Sequence, residues 1–123
     1  MSIENTLNRN IGTSKYYTWK LPFGNVIVGY YTDGINEMAE LCKAHWLIDV
    51  VMSNQTSKFK SKHPFQVWII KQDKQGAVVI AEDGNGNKIK TQGIHFTTFP
   101  FEEFSKPFKM FFCNDVLHLP SEY

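Results

Sequence analysis

TDGINEMAELCKAHWLIDVVMSN, Thr32 to Asn54, is the stretch on which the fold turns. Ile35, Met38, Ala39, Cys42, Trp46 and Val50 recur at spacings of three and four, which stacks them along one face of an α-helix. Leu41, Ala44, Leu47, Ile48 and Val51 widen that face in the second half, so the pattern predicts one main helix over about residues 34–54, buried most deeply toward its C-terminal end. Thr32 and Asp33 offer side-chain oxygens to the free N–H groups of a helix starting near Gly34 or Ile35, and Glu37 lies toward the positive end of its dipole. Ser53-Asn54-Gln55-Thr56-Ser57 carries no apolar residue and ends it.

On both sides of this helix the periodicity is that of strands. Tyr16–Leu21 and Asn25–Tyr31 are aromatic and β-branched, and Pro22-Phe23-Gly24-Asn25 between them reads as the turn of an opening hairpin. Downstream, Phe65–Lys71, Ala77–Glu82, Lys88–Thr98, Phe108–Cys113 and Val116–Leu119 are candidate strands. Lys74-Gln75-Gly76, Gly84-Asn85-Gly86-Asn87 and Asn114-Asp115 tolerate positive φ and so predict antiparallel hairpins. Pro100–Phe104 is a candidate helical turn, and Ser53–Pro64 is the one linker-like stretch. The expected architecture is α+β: one main helix packed on a twisted, mostly antiparallel sheet of about five to seven strands.

Length and composition set the outer bounds. A chain of 123 residues with 42% apolar side chains suits one domain and one core. The expected organisation is a polar leader over 1–14, free to be flexible, and a single α+β domain over 15–123. The leader lacks the charged-then-apolar pattern of a secretory signal, and the longest apolar stretch is interrupted by His45 and Asp49, too short to span a bilayer. A cytoplasmic protein with no membrane contact is expected. Cys42 and Cys113 have no CxxC spacing and are read as reduced and buried. The formal charge of +1 gives no global attraction for a polyanion.

Four constellations could carry chemistry. His45, Asp49 and Ser53 lie at i, i+4 and i+8, on one helical stripe, but an acid in the middle of the row cannot orient the base while the base contacts the hydroxyl. His45 and Asp49 also have metal-ligand spacing, without a third ligand. A structural role for Asp49, accepting a hydrogen bond from backbone, Trp or Tyr, or a ligand-anchoring one at a pocket wall, is the simpler expectation. Asp83-Gly84-Asn85-Gly86-Asn87 imitates the start of a calcium loop, yet its sixth position is Lys88 and its twelfth Ile94, so a tight turn explains it better. Lys58, Phe59, Lys60, Lys62, His63 and Phe65 interleave charge with rings, as single-stranded nucleic-acid sites do; short lysine-rich loops are usually just solvated.

Ile11-Gly12-Thr13 before Tyr16-Tyr17, Tyr31-Thr32-Asp33-Gly34, His45-Trp46-Leu47-Ile48-Asp49, Phe65-Gln66-Val67-Trp68, Asp83-Gly84-Asn85-Gly86-Asn87 and Leu119-Pro120-Ser121-Glu122-Tyr123, in this order, resemble an uncharacterised bacterial and mobile-element family known only as a domain of unknown function (DUF6876-like). The resemblance runs from about Ile11 to Tyr123 and implies small cytosolic proteins, often associated with plasmids, conjugative elements and phages, without an assigned activity. Asp33, Trp46, Asp49, Gln55 and Trp68 match its recurrent positions, whereas Lys58–Pro64 is particular to this chain. It transfers no catalytic residue and no cofactor.

The expectation that follows is a non-catalytic binding protein from a mobile-element or phage-related gene set, monomeric or homodimeric, acting through a host protein or a small ligand. Its candidate contact residues are Tyr31, Asp33, His45, Trp46, Asp49, Ser53, Gln55 and Trp68, with no metal and no cofactor. Tyr30, Tyr31, Trp46 and Trp68 closing around Asp49 would favour the small ligand. The alternatives are a small enzyme using Asp49 or His45 as general base, with Ser53, Gln55 or His118 nearby, and nucleic-acid contact through Lys58, Phe59, Lys60 and Lys62.

Overall fold

In the computed structural model, residues 2–9 and 15–122 are described. The elements run α1 (Ile3–Leu7), β1 (Tyr16–Lys20), β2 (Ile27–Thr32), α2 (Asp33–Cys42), α3 (His45–Ser53), α4 (Ser57–Lys62), β3 (Phe65–Asp73), β4 (Gly76–Glu82), β5 (Lys88–Ile94), β6 (Phe108–Cys113) and β7 (Val116–His118), with 3-10 turns at Phe101–Glu103 and Pro120–Glu122. The class is α+β, as expected. Seven strands form one open sheet in the order β1-β2-β7-β6-β3-β4-β5. Every neighbouring pair is antiparallel except β2 with β7, where Tyr30 faces Val116 and Tyr31 faces Leu117.

The main helix is two helices. Lys43 adopts the left-handed conformation (φ 54°) and closes α2 by donating its N–H to the Ala39 carbonyl; α3 restarts at His45. The cause lies in the phase of the sequence. A continuous helix keeping Ile35, Met38, Ala39 and Cys42 inward would also turn Asp49 and Ser53 inward. The break rotates the second segment so that Leu47, Ile48, Val50, Val51 and Met52 are buried while His45, Asp49 and Ser53 are exposed. A second departure follows it. The linker-like stretch contains α4, whose N-cap Thr56 accepts a hydrogen bond from the Phe59 N–H.

Helices α2 and α3 share one core with one face of the sheet. Trp68 and Ile70 of β3, Val79 and Ala81 of β4, Met110 and Phe112 of β6 and Leu117 of β7 join Ile35, Met38, Leu47, Ile48, Val51 and Met52 in a single buried cluster. Registers Trp68 with Ala81 and Met110, and Phe112 with Leu117, place these side chains on the same face. At Gly29 of β2 the strand is tightly covered by its neighbours. A Cβ there would lie 3.1 Å from the Met52 sulfur.

Part of the polar leader is ordered helix. Ser2 caps α1, Leu7 is buried in the core, and the Ile3 N–H donates to Glu103 Oε1 at 2.9 Å. Ile11-Gly12-Thr13 and Tyr123, two pieces of the family-like pattern, lie outside the described residues. The β6–β7 turn is built as read from Asn114-Asp115, with φ of 53° and 65°, the two left-handed residues that match the twist of an antiparallel pair. Strand β5 is shorter than expected, stopping at Ile94 rather than Thr98.

Candidate functional site

With α3 re-phased, Asp49 faces solvent and takes a partner from the edge strand β1: the Trp19 indole N–H donates to Asp49 Oδ1 at 2.9 Å. The kind of partner is the expected one, a Trp; the burial expected for Asp49 is absent. Beside it Tyr17 and Tyr31 stack with ring centroids 5.3 Å apart, and the Lys15 ammonium lies 5.1 Å from the Tyr17 ring centre. Burial, then Tyr17, then Asp49 hold the Tyr31 hydroxyl above its usual pKa. An acid framed by aromatic rings thus sits where α3 meets the β1–β2 hairpin.

The predicted constellation does not close as a catalytic unit. No hydrogen bond joins His45, Asp49 and Ser53; the Ser53 hydroxyl donates back to the Val50 carbonyl of its own helix. Trp46 is half-buried against the core and Tyr30 has no place beside Asp49, since Tyr31, the next residue along the strand, pairs with buried Leu117 on the helix-side face and Tyr30 points to the other. Trp68 is sealed inside. Asp33 opens α2 half-buried, but Thr32 is the residue that caps it, accepting from the Ile35 N–H.

Gln55 and Trp68 belong instead to a buried network with Gln66. Trp68 Nε1 donates to Gln66 Oε1 at 2.8 Å, Gln55 Nε2 donates to the same oxygen at 2.7 Å, and Gln66 Nε2 returns a bond to Gln55 Oε1 at 2.9 Å. An indole can only donate, which fixes the Gln66 oxygen toward Trp68 and, by reciprocity, the orientation of Gln55. The Val51 and His63 carbonyls accept the remaining amide protons. Gln55 and Trp68 are both satisfied internally.

The lysine cluster is divided. Lys60 turns inward, donating to the Val28 carbonyl and pairing with Asp115 at 2.9 Å, which ties α4 to β2 and to the β6–β7 turn. Phe59 packs on the core, and of the three α4 lysines Lys58 and Lys62 stand exposed. The Asp83 carboxylate is likewise occupied, accepting from the N–H groups of Asn85 and Asn87 and from the Asn87 side chain, bonds that hold its pKa below the usual carboxylate range. Its loop is a turn. Among the described residues no three His, Cys, Asp or Glu side chains converge on a metal site.

Sequence reasoning missed two features. Tyr16, Leu21, Phe23, Val26 and Ile27 are five of the seven large apolar residues exposed among the described residues, and all lie in the β1–β2 hairpin, with Phe23 at 84% exposure. Apolar residues packed around a Pro-Gly turn were the available signal. The second is Cys113, half-buried rather than buried, whose sulfur lies 3.9 Å from His118 Nε2. Pairing across the Asn114-Asp115 turn brings the two together.

These features define an α+β protein with an open seven-stranded sheet, helices on one face, and an aromatic and apolar hairpin at one edge. No helix among the described residues is long and apolar enough to cross a membrane. The chain belongs to a family of unknown function, DUF6876, whose profile matches residues 1–123. No curated protein and no solved structure matches it.

Proposed function

We propose that this chain is a non-catalytic binding protein that docks a partner protein through the β1–β2 hairpin, in the cytoplasm of a cell carrying a mobile-element or phage-related gene set. The genetic setting rests on the family resemblance. One observation carries the contact: Leu21, Phe23, Val26 and Ile27 expose apolar surface at one hairpin tip, and such clustering on a soluble protein is a mark of recognition. Strand β1 adds to it, because an edge strand leaves one row of backbone groups unpaired. Asp49, Trp19, Tyr17 and Tyr31 flank the same hairpin and suit a cationic side chain of the partner.

The test is affinity capture from host lysate with the native chain and a Phe23→Ser, Val26→Ser variant. Both side chains are exposed, so the variant keeps its thermal midpoint, and loss of a reproducible partner with the fold intact supports the docking surface. Equal capture by both proteins refutes it. A small ligand is a second reading with its own observation: a cavity of about 220 Å³ between α1 and the C-terminal turn, with apolar walls from Leu7, Phe104, Phe108 and Leu119 and charges of both signs from Glu4, Lys106 and Lys109. Native mass spectrometry of the purified chain tests it. The general-base alternative gains nothing, since His45 and Ser53 share no hydrogen bond with Asp49 or each other.

A further inference from the structure

Cys113 ends β6 and His118 ends β7, on the sheet face opposite the helices, because Phe112 and Leu117 between them point into the core. His118 is 7% exposed and its ring is held edge-on to Phe111 at 5.8 Å. Its Nδ1 lies 3.0 Å from the Leu119 carbonyl. A carbonyl only accepts, so Nδ1 donates to it, and Nε2 faces the Cys113 sulfur at 3.9 Å. Burial pushes the Cys113 thiol up, so it rests protonated and needs a proton acceptor before it can attack. The two side chains open on a cavity of about 230 Å³ whose wall also includes Tyr16, Thr32, Val116 and Glu122.

We propose that Cys113 and His118 form a thiol-exchange site, at which a small-molecule disulfide modifies the protein. The Cys113 S–H proton passes to His118 Nε2 as the sulfur attacks one sulfur of the disulfide. A Cys113 mixed disulfide forms, the original S–S bond breaks, and the departing thiolate takes the proton from the imidazolium. Cys113 is oxidised and the released half is reduced. A thiol reductant reverses the exchange. Cys42 is the internal comparison: it is 4% exposed, and burial and Glu103 push its thiol up to about 12.

The experiment treats the full native chain with oxidised glutathione near neutral pH, reading intact mass and the modified peptide over time. One adduct is expected, on Cys113, absent in Cys113→Ser and removed by reductant, while Cys42 stays unmodified. His118→Gln, folded, slows the reaction at least about a hundredfold, the low end for loss of a general base. Independently of that variant, native Cys113 is expected to react faster than N-acetylcysteine under the same conditions. Reaction slower than N-acetylcysteine, adducts shared equally with Cys42, or a folded His118→Gln with an unchanged rate each overturn the proposal. None of these outcomes bears on partner docking through the β1–β2 hairpin.

Discussion

Replacing Gln55 by Leu probes the buried amide network at nearly constant volume. Gln55, Gln66 and Trp68 are 5%, 0% and 0% exposed, so a broken hydrogen bond there is not replaced by water. Gln55→Leu removes the acceptor for one Gln66 amide proton, while Gln66 keeps Trp68 on its oxygen and the His63 carbonyl on its nitrogen. One buried orphan costs about 1–3 kcal/mol. Gln66→Leu strands three groups, Trp68 Nε1, Gln55 Oε1 and one Gln55 amide proton, for about two to three times that. In the double variant only the Trp68 N–H is left unpartnered among these side chains. Adding Gln55→Leu to Gln66→Leu therefore restores at least about 1–3 kcal/mol instead of subtracting it. Urea unfolding followed by tryptophan fluorescence measures all three, read as midpoint shifts at constant slope. Additive losses in the double variant, or a Gln55→Leu cost below about 0.5 kcal/mol, would refute a coupled network.

Three other perturbations address the joints of the fold. Lys43→Gly removes a side chain from a φ of 54° and is expected to raise stability by about 0.5–1 kcal/mol in the same urea assay. Gly34→Ala places a Cβ 2.7 Å from Glu122 Oε2, displacing the carboxylate that accepts from the Thr32 hydroxyl and the Leu119 N–H; a loss of about 1–3 kcal/mol is expected, and a prior Glu122→Ala should nearly abolish it. On the alkaline side, Cys42 holds its proton to about pH 12 when folded but to 9.0 in its ordinary state, so stability is complete below pH 9.0 and declines as the pH rises toward about 12. Cys42→Ala should remove that part of the decline in urea midpoints measured across the range.

Hairpin turns and class follow from local chemistry, and local chemistry is what a sequence displays. Asn114-Asp115 dictates its turn without help, and Phe108–Cys113 reads as a strand to the residue. The parallel pairing of β2 with β7 was not legible, because it joins residues about ninety positions apart and no local pattern encodes it. The candidate site divides the same way. That Asp49 needs an indole or phenol partner is a statement about carboxylates; that the partner is Trp19, thirty residues away, depends on which strand forms the edge. Gln55 and Trp68 stood out as unusual positions, but Gln66 supplies the reason they are unusual, and only register puts it there.

The same competition explains why α2 and α3 are separate. An unbroken helix would add backbone hydrogen bonds, yet it would carry Asp49 and Ser53 toward the core and rotate Leu47, Ile48 and Val51 away from it. A left-handed residue costs about 1–2 kcal/mol, while each large aliphatic side chain taken out of water contributes about 1.5–3 kcal/mol. Burying those three outweighs the strain at Lys43 several times over. The surface acid is a product of that trade: Asp49 reaches solvent, and with it Trp19 and the stacked tyrosines, because the chain re-phases to save its apolar residues. A site that forms this way is positioned by the core beneath it. Substitutions that change the inward set of α3 would accordingly move Asp49 relative to the β1–β2 hairpin without touching either.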